Sequence, residues 1–161
     1  MPTPGVSNPR PGGGSGPSLR IEIVSEATVE DWQFVHNRVI PGAPLAEYEV
    51  RERLGRNFLT VAYVGDDVVG CATVRAPDET GNVTVIARVL PEYRRRGYGE
   101  ELFLDGMRLA RSVGGTAIET VVLASNHDGL RFALEHGFAE VDRYLPPGDE
   151  NPFITLRLRW L

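Results

Sequence analysis

Apolar residues recur along this chain with two periods, two and roughly 3.6, and the switches between them outline the elements. Residues 20–24 predict a short strand. Residues 28–38 have helical spacing, with Thr28 as N-cap and Trp32, Val35 and Val39 on one face. Pro41, Gly42 and Pro44 break the chain, and a second short helix is expected over 45–54. Residues 58–64 and 68–75 predict a hairpin around Gly65, Asp66 and Asp67. A strand at 83–90 follows, with Val83, Val85, Ala87 and Val89 on one face. Residues 99–113 predict a helix whose stripe includes Leu102, Phe103, Gly106 and Ala110. Its first-turn Glu100 and Glu101 and later Arg108 and Arg111 suit the helix dipole, and Gly114-Gly115 ends it. Residues 117–124 read as a buried strand, and 128–136 as a helix started by Ser125 or Asn126 and stopped by Gly137. A last strand pair is expected at 139–145 and 153–160. Antiparallel strands first, then alternating strands and helices, predict an α/β (α+β) fold: a mixed, mostly antiparallel sheet with helices on both faces.

Composition narrows the class. The 161 residues suffice for one domain, expected over 19–161. Residues 1–18 are almost all Pro, Gly and Ser and predict a disordered tail, because they bury too little to offset ordering entropy. The net charge is −5, and all 17 basic residues are arginine. An acidic chain without a basic stripe is not expected to bind nucleic acid. Without lysine there is no Walker-type phosphate loop. A single cysteine, Cys71, forms no internal disulfide, and its place on an inner strand predicts a core residue. No apolar run reaches membrane-spanning length and no signal pattern is present, so a cytoplasmic protein without membrane association is expected.

The most informative stretch joins the strand at 83–90 to the following helix through Arg94, Arg95, Arg96, Gly97, Tyr98 and Gly99. Main-chain N–H groups at a helix start lack internal partners and carry partial positive charge, which makes an anion site. Glycines at 97 and 99 let the main chain approach a phosphate, and the arginines add charge. A solvated basic turn is the competing reading. The dinucleotide fingerprint is excluded, since its third glycine position is Leu102.

In this stretch the chain resembles the GNAT N-acetyltransferases. Arg94, Gly97 and Gly99 fit that family's pyrophosphate motif, and Asn126, Phe132, Gly137 and Phe138 resemble a second family segment. The resemblance extends to the order of elements after residue 19. It implies acetyl-CoA as cosubstrate with no metal, and transfer of its acetyl group to an amine of a small molecule or peptide. It also implies a splayed parallel pair, here 83–90 and 117–124, with main-chain groups of Ala87, Arg88 and Val89 along the pantetheine arm.

Two positions depart from that pattern. The tyrosine that many members use as general acid is Ala133 here, and the glutamate that some use as general base is Val83. Ser125 is one replacement candidate, toward the sulfur, and N-capping is its alternative. Glu119 is another, as base, against a surface position at a sheet edge. Asn126 has cofactor contact and N-cap readings side by side. Tyr144, Trp32 and Trp160 read as core, His127 and His136 as solvated, and His36 as structural beside the acceptor loop. Glu47 and Glu49 are either attractors for a cationic amine or a solvated helix face. A non-catalytic acyl-CoA-binding or sensor module is the alternative function, and a homodimer through edge strands is left open.

Overall fold

The structure is a computed structural model that describes residues 18–159. The expected tail lies outside the described residues except for Ser18, and so does Trp160. The chain runs β1 (Leu19–Ile23), α1 (Val29–Val39), α2 (Glu47–Leu54), β2 (Asn57–Val64), β3 (Asp67–Arg75) and β4 (Asn82–Val89). It continues as a 3₁₀ turn at Pro91–Tyr93, α3 (Tyr98–Ser112), β5 (Ala117–Leu123), α4 (His127–Glu135), β6 (Ala139–Tyr144) and β7 (Phe153–Arg159). Every element read from the pattern is present, with slightly shifted ends. Thr28 stands at the N-cap of α1 without capping it; its hydroxyl oxygen accepts the Ser25 N–H at 2.9 Å instead.

Seven strands form one sheet in the order β1-β2-β3-β4-β5-β7-β6. Each neighbouring pair is antiparallel except β4 with β5. β5 is therefore an inner strand, with β7 inserted between it and β6. That corrects the edge placement of Glu119.

Alternation along the strands sends side chains to two helical layers. On one face, Trp32 and Val35 of α1 and Val50 of α2 pack on Leu59, Val61 and Cys71. Trp32 is fully buried and its Nε1–H donates to the Ala72 carbonyl at 3.3 Å. On the other face, Phe103 and Ala110 of α3 pack on Val74, Val83 and Val85, and Leu102 on Ala62 and Ala72. Burying a side chain like Leu102 contributes about 1.5–3 kcal/mol. Gly106 lets α3 lie close to β4: a Cβ there would stand 2.5 Å from Val85 Cγ1. Cys71 is 1% exposed, and burial pushes its thiol pKa up to about 12. Tyr144, expected in the core, is 58% exposed because β6 forms the sheet edge. No described helix is long and apolar enough to cross a membrane.

The feature that positions a site is the short parallel pairing. β4 and β5 are in register only over Asn82–Thr84 against Ala117–Glu119. Beyond that, β4 stays on β3 as far as Val89, and β5 stays on β7 as far as Leu123. Each strand is held by its antiparallel partner, so a gap opens between them.

Candidate functional site

A cleft of about 370 Å³ runs through that gap. One mouth is bounded by Gly97, Gly99 and Glu100 at the start of α3 and by Asn126 and Phe132 of α4 and its cap. The other is bounded by Val39 and Ile40 at the end of α1, with Arg88 and Phe153.

Main-chain polar groups face the cleft for a reason set by the ladder. Leu90 N–H donates to the Val69 carbonyl at 2.8 Å. In an antiparallel pair, alternate residues point their N–H and C=O to opposite sides. Ala87 and Val89 therefore turn theirs away from β3, toward the gap. The Val89 carbonyl is occupied, accepting from Arg94 Nε at 3.0 Å.

The α3 N-terminus is open in the same way. Its first intrahelical bond is Glu101 N–H to the Gly97 carbonyl at 3.1 Å, so the N–H groups of Tyr98, Gly99 and Glu100 have no partner within the helix. Gly97 caps α3 with φ of 84°, a left-handed conformation that favours glycine, and an added Cβ would meet nothing within 4 Å. Open space in front of unpartnered N–H groups fits a diphosphate.

The three arginines of the loop do different things. Arg94 ties to Val89, and Arg95 bridges to Asp128 at 3.2 Å on the rim. Arg96 lies over the Tyr93 ring at 5.5 Å, and its side chain is not part of the cleft wall. Tyr98 packs against the cluster of Ala62, Val69, Ala72 and Leu102 and is not part of the cleft wall.

Asn126 caps α4: its Oδ1 accepts the Gly129 N–H at 2.9 Å. It also lines the cleft. Gly129 is required there, since a Cβ would lie 2.6 Å from Asn126 Nδ2. Phe132 stands edge-on to Phe103 at 5.4 Å and forms cleft wall.

Neither side chain expected to do acid–base work is in the cleft. Ser125 is exposed, its hydroxyl oxygen accepts from Asn151 Nδ2 at 2.6 Å, and it does not cap α4. Glu119 lies where β4 and β5 are still paired, and its Oε1 accepts from Arg157 Nε at 2.9 Å and Asn82 Nδ2 at 3.2 Å. Ala133 is a buried part of the wall, and Val83 packs behind it against Gly115. Tyr144 is absent from the wall.

The histidines differ from one another. His127 is exposed. His136 is not simply solvated: its Nδ1 lies 2.8 Å from the Phe132 carbonyl and its ring 4.1 Å from the Phe132 ring. His36 is buried, stacks on Trp32 at 5.4 Å, and places Nε2 3.1 Å from the Ala43 carbonyl. Burial lowers its pKa, and the nearby Arg88 adds to that. Glu47 is paired with Arg51, and Glu49 accepts the Ala46 N–H at the start of α2, so neither is an open anion.

One residue escaped the sequence reading. Thr120 is 5% exposed, lines the cleft one position past the last β5 residue paired with β4, and its hydroxyl makes no hydrogen bond with the described residues. Its only sequence signal was a lone hydroxyl in an apolar strand, which is too common to stand out. Among the described residues, no group of three or more His, Cys, Asp or Glu is placed to hold a metal ion.

The family model described as the acetyltransferase (GNAT) family matches residues 21–138. No curated protein matches the chain. Among solved structures, yncA from Salmonella typhimurium, solved with its cofactor acetyl-CoA, is 17% identical with a TM-score of 0.72. That match covers 88% of this chain and 93% of the other. The ribosomal-protein-S18-alanine N-acetyltransferase from Escherichia coli is 18% identical with a TM-score of 0.73, covering 88% and 94%. An N-acetyltransferase from Staphylococcus aureus is 14% identical with a TM-score of 0.74, covering 88% and 98%. At these identities the shared property is the fold.

Proposed function

The chain belongs to the GNAT acetyltransferase family, and we propose that it transfers the acetyl group of acetyl-CoA to a primary amine of a small molecule or peptide. The observation that carries this is the continuous cleft from the open α3 N-terminus, through the β4–β5 gap, to the α1 side. The cofactor that yncA holds supports the choice of donor.

Acetyl-CoA would supply an activated acyl carbon and a thiolate leaving group. The chain would hold its diphosphate on N–H groups of the 94–99 loop, with Gly97 giving the close approach and Arg94, Arg95 and Arg96 the surrounding charge. Main-chain groups of Ala87 and Val89 would pair with the amides of the pantetheine arm, as an added strand does. Phe132 and Asn126 would bound the arm on the α4 side.

The acceptor nitrogen attacks the thioester carbon from the α1 mouth. A C–N bond forms, the C–S bond breaks, the nitrogen loses a proton and the sulfur gains one. The Val89 N–H, aimed into the gap, is placed to stabilise charge on the carbonyl oxygen. Thr120 lines the cleft, and its hydroxyl would donate toward the sulfur. Glu119 is left out, because Arg157 and Asn82 occupy its carboxylate away from the cleft. Water would take the proton from the amine.

Ala133 and Val83 leave the usual acid and base positions apolar, which favours a second reading as an acyl-CoA-binding module without turnover. Calorimetry with acetyl-CoA and thiol release across an amine panel separate the two. Binding with amine-dependent thiol release supports the transferase. Binding without release for any amine supports the module, and no binding overturns both.

A further inference from the structure

The acceptor side of the cleft carries an arginine, Arg88, whose side chain pairs with no carboxylate of the described residues. Arg88 pairs across the β3–β4 ladder with Cys71, which packs in the layer under α1. Cross-strand partners share a face, so the Arg88 side chain points to the α1 and α2 side, away from α3. It is partly buried and lines the cleft beside Val39 and Ile40. Arg53 in the last turn of α2 and Arg75 at the end of β3 lie close by. Burial first, and then these neighbours, hold the Arg88 guanidinium below the usual arginine range. Burial and Arg53 act on Arg75 in the same direction. Arginine nonetheless stays charged in proteins.

None of the Arg53, Arg75 and Arg88 side chains makes a hydrogen bond or ion pair with the described residues. Several carboxylates around α1 and α2 are engaged elsewhere, Glu49 with the Ala46 N–H and Glu52 with Arg56 among them. Glu26 and Glu47 bind Arg51, Asp31 accepts from Tyr63, and Glu92 binds Arg38. In a chain of net charge −5, half-buried Arg53 and Arg88 beside exposed Arg75, with no side-chain counter-ion among the described residues, are a cost that a bound anion would offset.

We propose that this face holds the acidic end of the acceptor: a small amine that also bears a carboxylate or phosphorus oxyanion, bound directly by Arg88. The proposal rests on the transferase reading and names its substrate class. The main-chain groups of Ala87 and Val89 face the thioester path, and the Arg88 side chain lines the cleft beside Val39 and Ile40. Amine and anion must then lie only a few bonds apart, as in an amino acid.

The test uses the full chain with acetyl-CoA and matched acceptors: amino acids, their carboxamides and 1-aminoalkylphosphonates. The free acid or the phosphonate should exceed its carboxamide in kcat/KM by roughly 10- to 100-fold, the range for a hydrogen bond to a charged group. Comparing the acid and phosphonate arms identifies the oxyanion. Arg88→Met should erase the discrimination, and Arg88→Lys should retain part of it, since it keeps charge without the fork. Circular dichroism checks that each variant folds, and Arg53→Gln, at a half-buried position of α2, should reduce the discrimination without removing it. Equal or faster turnover of carboxamides, or discrimination that survives Arg88→Met, overturns the proposal. If no amine releases thiol, calorimetry with CoA-saturated protein decides separately. Acid binding lost in Arg88→Met supports the anion site although transfer fails, and no acid binding overturns the site.

Discussion

Glu119 and Arg157 face each other across the β5–β7 ladder, with the carboxylate accepting from Arg157 Nε at 2.9 Å and from Asn82 at 3.2 Å. The only carboxylate on an otherwise apolar strand is thus a strut between three strands, placed where β4 and β5 are still joined. Glu119→Gln should lower stability by about 1–2 kcal/mol, through loss of charge-assisted bonds, and leave acetyl transfer largely intact. Urea unfolding and thiol-release kinetics read the two effects. A collapse of kcat with unchanged stability would restore Glu119 as the base.

Gly97 combines φ of 84° with open space where a Cβ would stand. Gly97→Ala should cost about 1–2 kcal/mol from the left-handed conformation. It should also weaken acetyl-CoA roughly tenfold or more, equivalent to about 1.4 kcal/mol, because the methyl enters the space assigned to the diphosphate. Chemical denaturation and calorimetry measure the two losses independently. Unaltered acetyl-CoA affinity would move the diphosphate away from this turn.

Thr120 is nearly buried, yet its hydroxyl makes no hydrogen bond with the described residues. Thr120→Val keeps the shape and removes the hydroxyl. If that hydroxyl donates toward the leaving sulfur, kcat should fall roughly tenfold or more with little change in acetyl-CoA affinity. A kcat equal to that of the parent protein would return the role to water.

His36 links stability to pH. Burial, and secondarily Arg88, lower its folded-state pKa below the ordinary 6.5. The unfolded chain therefore binds the proton more readily. The stability that neutral His36 allows is fully present above pH 6.5 and is lost as pH falls from there toward the folded-state value. The urea midpoint should drop between pH 7.5 and 5.5, and His36→Gln should show a smaller drop. An equal drop in both would assign the pH dependence to other groups.

Much of this was legible in the chain itself. Period-two and 3.6 patterns placed the strands and helices, because alternation and helical spacing are local properties of burial. The 94–99 loop was legible too, since Gly97 is needed for a conformation that other residues adopt only at a cost. Arg94 and Arg96 were read as one charge cluster, and only packing showed that one ties down Val89 while the other lies over Tyr93.

The sequence alone determined the alternating elements, the glycine-bearing turn before α3 and membership of an acetyl-transferring family. Tertiary structure decided which polar side chains reach the cleft. Ser125 and Glu119 looked available because a sequence shows residue types without partners. Asn151 and Arg157, each more than 25 positions away, claim them. Thr120 and Arg88 looked ordinary, and they stand at the gap because the pairing of β4 with β5 stops at Thr84 and Glu119. Where two strands part is set by what each pairs with on its other side. That contact lies far off in the chain, so no local pattern encodes it.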